Sequence, residues 1–309
     1  MMRRAVIFFF TLFYVTVTVP KKMWIGVSDH REGVGFFSDP IAKPSLFFYW
    51  RNLSESAYCS MFLRYKRPTE EGLAASSNSP SPAWDADGIT VVDGGSFMEF
   101  KPPEGVAAVA EADVRARIGV IVLQGSLVSP PAYAPLARTL ARNGHPSFVL
   151  KFNFNLATFG WERIGDIIEH SKPEGDNCPA SPTKWVLVGH SMGTMAVEKF
   201  YAKRPESVDG VVYIGSGDAL GDTLSGVEDL PSLIIRGSRD PYCPKETLEQ
   251  SVPKMPIGLE TVVVEGGNHR GFASYSWQPL DWKATISEQE QRRIVVETIL
   301  DFIERRVAV

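Results

Sequence analysis

Ser191 stands between Gly189 and Gly193 in Gly-His-Ser-Met-Gly, where the apolar run WVLV (185–188) gives way to MAVEKFYAKRP, a helix-period segment ended by Pro205. A serine flanked by glycines where strand turns sharply into helix has its hydroxyl lifted above a sheet, at a helix end whose free N–H groups favour negative charge. The hydroxyl is a weak nucleophile until a base removes its proton and a third group orients that base. Two later segments have the residue types for this. IIRGSRDPYCP puts Asp240 just past one apolar run, and VVVEGGNHRGF puts His269 just past the next.

The chain has five histidines. His30 lies outside this region, His145 opens a strand, His170 sits in a polar helix-like segment and His190 is the elbow's own neighbour, which leaves His269. Asp218, in GSGDALGD, competes with Asp240 for the role of acid. Asp240 is preferred because its Gly-Ser-Arg-Asp turn directly follows the strand next to the histidine's. The order serine, acid, histidine is that of nucleophilic acyl transfer on an open α/β sheet. One oxyanion donor is expected to be the backbone N–H of Met192, the residue after the nucleophile. The other is expected from the loop after VIVLQG, with Ser126 first and Leu127 second.

Positioning these groups requires a sheet. GITVVDGG and SFMEFKP read as a pair of opening strands. IGVIVLQG (118–125), PSFVLKF (146–152), KWVLVGH (184–190), GVVYIGSG (210–217), PSLIIRG (231–237) and ETVVVEGG (260–267) follow, apolar on both faces as buried parallel strands are. Helical segments alternate with them. Ser129 is expected to cap a helix entered through Pro130 and Pro131, and Ser287-Glu288-Gln289-Glu290 forms a capping box for a last helix with Val295, Thr298, Ile299 and Phe302 on its inner stripe. This rhythm predicts an α/β fold with a mostly parallel central sheet and helices on both faces.

The remaining composition narrows the function. With 309 residues, 44% hydrophobic and a formal net charge of −4, the chain has no basic field for nucleic acid. Its three cysteines, Cys59, Cys178 and Cys243, have neither disulfide-framework nor metal-ligand spacing, so no metal or other cofactor is called for.

MMRR followed by the uncharged run AVIFFFTLFYVTVTV (5–19) has the layout of a secretory leader. A signal peptide over 1–22, an uncleaved membrane anchor and an organelle-targeting leader all stay open. Residues 23–67 show no dependable period. PTEEGLAASSNSPSPAWDADG (68–88), rich in Pro, Ser, Ala and Asn, reads as a linker, which puts the start of the catalytic domain at residue 89.

Over residues 89–305 the sequence resembles the α/β-hydrolase superfamily. QGSLVSPPAYAPLARTLARNG, FNLATF, GHSMG, GSRD and EGGNHRGFASY together are similar to its small lidless fold-five branch, akin to dienelactone hydrolases, and so are Phe272, Tyr275, Gln278-Pro279 and Thr285-Ile286-Ser287. The resemblance implies Ser191 as nucleophile, His269 as base and Asp240 as orienting acid. Dienelactone hydrolases proper use a cysteine nucleophile, so their reaction is not carried over. Thr194, Ser126, Arg270, Ser276 and Trp277 depart from the branch's pattern and bear on pocket shape.

The short stretch Asp218–Leu230 leaves no room for a helical lid, so an open site is expected. The aromatic-rich loops KFNFNLATFGWER and RGFASYSWQPLDW shape access to it, with Leu127, Asn155, Phe159, Phe272 and Tyr275 as pocket candidates. The expected activity is hydrolysis of a small-molecule carboxylic ester, thioester or lactone through an acyl-enzyme. The competing reading is an inactive binding or scaffold protein of the same fold, tethered to a membrane by the leader.

Overall fold

The computed structural model describes residues 65–78, 87–103, 118–172, 181–216 and 224–308. The leader and the segment 23–64 lie outside these. Among the described residues no helix is long and apolar enough to cross a membrane.

Eight strands form one sheet in the order β1-β2-β4-β3-β5-β6-β7-β8. β1 (Thr90–Asp93) and β2 (Phe97–Lys101) are the expected antiparallel pair, and β2 joins β4 antiparallel. β3 (Ile118–Leu123), β4 (Ser147–Leu150), β5 (Lys184–His190), β6 (Gly210–Ile214), β7 (Ser232–Gly237) and β8 (Glu260–Val264) run parallel. Every residue of β3, β4 and β6 is buried, as strands covered on both faces must be. One apolar cluster includes Val120, Val186, Val212, Ile235, Val295 and Ile299; a second includes Ile121, Leu187, Tyr213, Ile234, Ala196 and Phe200. Alternate residues of the same strands thus feed two cores, one on each face.

α1 (Glu70–Ala75) precedes the sheet, and α2 (Ala134–Arg142), α3 (Arg163–His170), α4 (Gly193–Tyr201), α5 (Lys245–Ser251) and α6 (Glu288–Phe302) follow in chain order. At α6 the Ser287 hydroxyl accepts the Glu290 N–H at 3.0 Å, closing the anticipated cap, and Val295, Ile299 and Phe302 are buried. Ser129 makes no side-chain cap. Pro131 has no N–H to offer it, and the Ala132 N–H goes to the Ser129 carbonyl instead, starting a 3₁₀ turn over Pro130–Tyr133.

The described part of 68–88 is not a linker. Thr69 caps α1 by accepting the Gly72 N–H, and Ala75 is fully buried. Asp87 forms an ion pair with Arg138 of α2. The compact unit runs Arg64–Val309 rather than from 89. Gly72 lets α1 lie close to its neighbours: a methyl there would stand 2.9 Å from the Pro131 carbonyl oxygen.

Candidate active site

The strand-to-helix turn between β5 and α4 holds Ser191 at φ 52°. This left-handed conformation costs a non-glycine residue on the order of 1 kcal/mol and is kept where surrounding contacts over-determine it. The Ser191 N–H donates to Ile214 O at 2.9 Å, and the Thr194 hydroxyl donates to Ser191 O at 2.7 Å. Close backbone approach does the rest. A Cβ on Gly193 would lie 2.2 Å from Leu123 O, and one on Gly189 would lie 2.8 Å from Thr194 N. Ser191 itself is only half-buried.

Past the end of β7, both oxygens of the Asp240 carboxylate have partners: Oδ1 accepts the Tyr242 N–H at 2.8 Å and Oδ2 accepts His269 Nδ1–H at 2.9 Å. That fixes the imidazole with its proton on Nδ1 and its lone pair on Nε2. The His269 ring packs against two others, 4.7 Å from His190 and 4.5 Å from Tyr242 between centroids. Its loop is braced from behind. The His269 and Arg270 N–H groups donate to Asp281, and Gln291 of α6 bonds the Asn268 backbone in both directions. Burial raises the Asp281 carboxyl above its ordinary pKa against these amide donors.

The two sides of the site meet at Gly215, at φ 58° just after the Ile214 carbonyl that holds Ser191. A methyl there would stand 3.0 Å from both Asp240 Oδ2 and His269 Nδ1. No hydrogen bond joins Ser191 Oγ to His269 among the described residues. Asp218 lies outside them.

The loop after β3 faces the elbow, since a Cβ on Gly125 would be 3.3 Å from Ser191 Cβ. The Gly125 N–H donates to Tyr133 Oη at 2.8 Å, and that hydroxyl bonds His190 Nδ1 at 2.7 Å. Burial holds His190 well below its ordinary pKa, so the ring is neutral. Leu127 N–H is taken by Asn155 O at 2.7 Å, which removes Leu127 as an oxyanion donor. The Ser126 and Met192 N–H groups have no partner among the described residues.

The pocket candidates divide. Phe159 is 41% exposed and meets Phe154 edge-on at 6.3 Å, making an aromatic rim. Asn155 Oδ1 accepts from Gln124 Nε2 at 2.8 Å, bracing the loop. Phe272 and Tyr275 do not line a pocket: both are buried in the core, Tyr275 completely, with its hydroxyl on Gln278. The Phe272 ring packs 6.0 Å from that of His190, and the Tyr275 ring lies under Lys66 Nζ. Sequence reasoning passed over Tyr133, Tyr242, Asp281 and Gln291. Only Gln291 left a signal, as a polar residue one turn before Val295 on the inner stripe of the last helix.

A family model described as "Alpha/beta hydrolase family" matches residues 119–293. No curated protein matches the sequence. Among solved structures the chain is similar to XC6422 from Xanthomonas campestris, described as a serine hydrolase without lid, at 14% identity over 75% of this chain and 99% of that one, with a TM-score of 0.48. It is also similar to Est1E from Butyrivibrio proteoclasticus at 13% identity, covering 71% and 100% of the two chains with a TM-score of 0.47. TT1662 from Thermus thermophilus matches at 18% identity over 71% and 99%, with a TM-score of 0.45.

Proposed function

The chain belongs to the alpha/beta hydrolase family, and from that premise we propose that it is a serine hydrolase of small-molecule carboxylic esters, thioesters or lactones. The observation that carries the reading is the buried Asp240–His269 hydrogen bond beside a serine held at positive φ on the elbow. Unpartnered amides at Met192 and Ser126 support it from the other side.

In the proposed reaction His269 Nε2 takes the Ser191 hydroxyl proton as the oxygen attacks the substrate carbonyl carbon. The oxyanion is held by the N–H groups of Met192 and Ser126. The imidazolium, stabilised by Asp240, gives its proton to the leaving oxygen or sulfur, and an acyl-serine ester remains. Water then repeats the sequence: its proton goes to His269, its oxygen to the acyl carbon, and Ser191 recovers its proton as the acid departs. The Ser191–His269 hydrogen bond forms as substrate enters, since such bonds are commonly long in unliganded sites. The aromatic rim of Phe154 and Phe159 suits an apolar acyl or aryl group.

The test is fluorophosphonate labelling of the folded chain together with turnover of p-nitrophenyl esters of increasing acyl length. Labelling confined to Ser191 and lost in Ser191→Ala is expected. Absence of both labelling and turnover would leave the inactive binding protein as the better account.

A further inference from the structure

We propose that Lys66 is a positioning residue for the oxyanion hole, carried by a strap of chain that precedes the family-matched region. The proposal rests on the hydrolase reading above and adds a residue to the same site.

The strap is short and joined on both edges. On one edge the Lys66 N–H donates to Leu127 O at 2.9 Å and Lys66 O accepts the Ser129 N–H at 3.1 Å. On the other, the Ser276 N–H donates to Arg67 O at 3.0 Å and the Thr69 N–H to Ser274 O at 2.9 Å, with Pro68 bridging Tyr275. Residues 66–69 therefore tie the loop after β3, which carries Ser126, to the loop after β8, which carries His269. Just beyond, Arg292 of α6 pairs with Glu71 and bonds the Ser274 hydroxyl, anchoring the strap's far end.

The Lys66 side chain points inward and is 6% exposed. Its Nζ donates to Ser126 O at 3.0 Å and lies 5.9 Å over the Tyr275 ring; no carboxylate pairs with it among the described residues. Burial pushes its pKa down to about 8. A buried ammonium without a counter-ion is costly, so its one acceptor is informative.

That acceptor is one end of the Ser126–Leu127 peptide, whose N–H end is held by Asn155 O. The preceding peptide is held through Gly125 O, which accepts the Val128 N–H at 3.3 Å, and the peptide before that through the Gly125 N–H on Tyr133. Between these clamps the Ser126 N–H has nowhere to turn, although Leu127 sits at φ 58°, a conformation a free loop would leave. Lys66 is the clamp that fixes the Ser126 carbonyl, and with it the direction of the neighbouring amide. Because that amide meets charge developed in the transition state, its misalignment lowers kcat rather than substrate binding.

The experiment compares full-length wild type, Lys66→Met, Lys66→Gln and Lys66→Arg, all checked for folding by circular dichroism and thermal melting, with p-nitrophenyl butyrate turnover and fluorophosphonate labelling. The expected result for Lys66→Met is a kcat lower by about 10- to 100-fold, with KM within about threefold of wild type. Ser191 still labels to completion, and Lys66→Arg, which keeps a cationic donor, recovers most of the loss. If Lys66→Met does not fold, Lys66→Gln, whose amide still donates, takes its place with a smaller expected kcat loss. Wild-type kcat in a folded Met or Gln variant overturns the proposal, as does a loss that appears only in KM or that Arg does not relieve. A wild-type chain that neither labels nor turns over defeats the hydrolase reading itself, and this proposal with it; the first set of failures defeats Lys66 alone.

Discussion

Asp240 and His269 meet at 2.9 Å with their side chains 0% and 1% exposed. No water competes for that bond, so the carboxylate dictates which imidazole nitrogen carries the proton. Replacing Asp240 by Asn keeps shape and volume but offers an N–H donor to Nδ1, which favours the tautomer with the proton on Nε2. In the proposed hydrolase, Asp240→Asn is expected to lower kcat by roughly 10³- to 10⁴-fold with the fold retained. Ester turnover and circular dichroism check this; near-wild-type kcat would show that another acid serves His269.

Tyr133→Phe removes a hydroxyl that accepts from Gly125 N–H and shares a hydrogen bond with His190 Nδ1. Two buried polar groups lose their partner at once. A loss of roughly 1–3 kcal/mol in chemical unfolding is expected, with a fall in kcat because Gly125 adjoins Ser126. An unchanged denaturation midpoint would mean that the pair is not formed in solution.

Lys66 gives stability a distinctive pH dependence. Its folded-state pKa of about 8 lies below its ordinary 10.5, so between those values the unfolded chain binds more protons and stability rises with pH. The full rise attributable to this group is roughly 3 kcal/mol. Unfolding free energies measured from pH 7 to 10.5 are expected to show this added slope in wild type and to lose it in Lys66→Met. Identical slopes would place the Lys66 ammonium in water.

The opposite end of the pH scale reports on Asp87 and Arg138. Burial alone would raise the Asp87 carboxyl, but hydrogen bonds from Arg138 and the Ile89 N–H, with the charges of Arg138 and Arg142, bring it below its ordinary value. The pair therefore stabilises the fold above about pH 4 and loses its effect as pH falls through the lower folded-state pKa. Arg138→Met, which also breaks bonds to Ala75 O and Ser77 O, is expected to cost roughly 2–4 kcal/mol at pH 7. The deficit narrows below pH 4. A deficit that persists unchanged into acid would assign it to packing alone.

Local pattern and covalent order determined much of this protein. The two-faced apolar strands, the crossover rhythm, the capping box at Ser287 and the glycines around Ser191 are legible because each is set by neighbours a few residues away. The order Ser191, Asp240, His269 is legible because an open parallel sheet brings successive strand ends to one rim. Only the tertiary structure decided which side chains brace that rim. Lys66 reaches Ser126 across 60 residues and Glu71 reaches Arg292 across 221, contacts that leave no period in the sequence. The same holds for Phe272 and Tyr275, whose aromatic types read as pocket walls although packing in the core buries both. Tyr133 leaves no signal of its role in the sequence, and His190 reads only as the elbow's neighbour. They become a pair because β5 and the loop after β3 lie side by side, and burial leaves each polar atom only the partner that the fold brings to it.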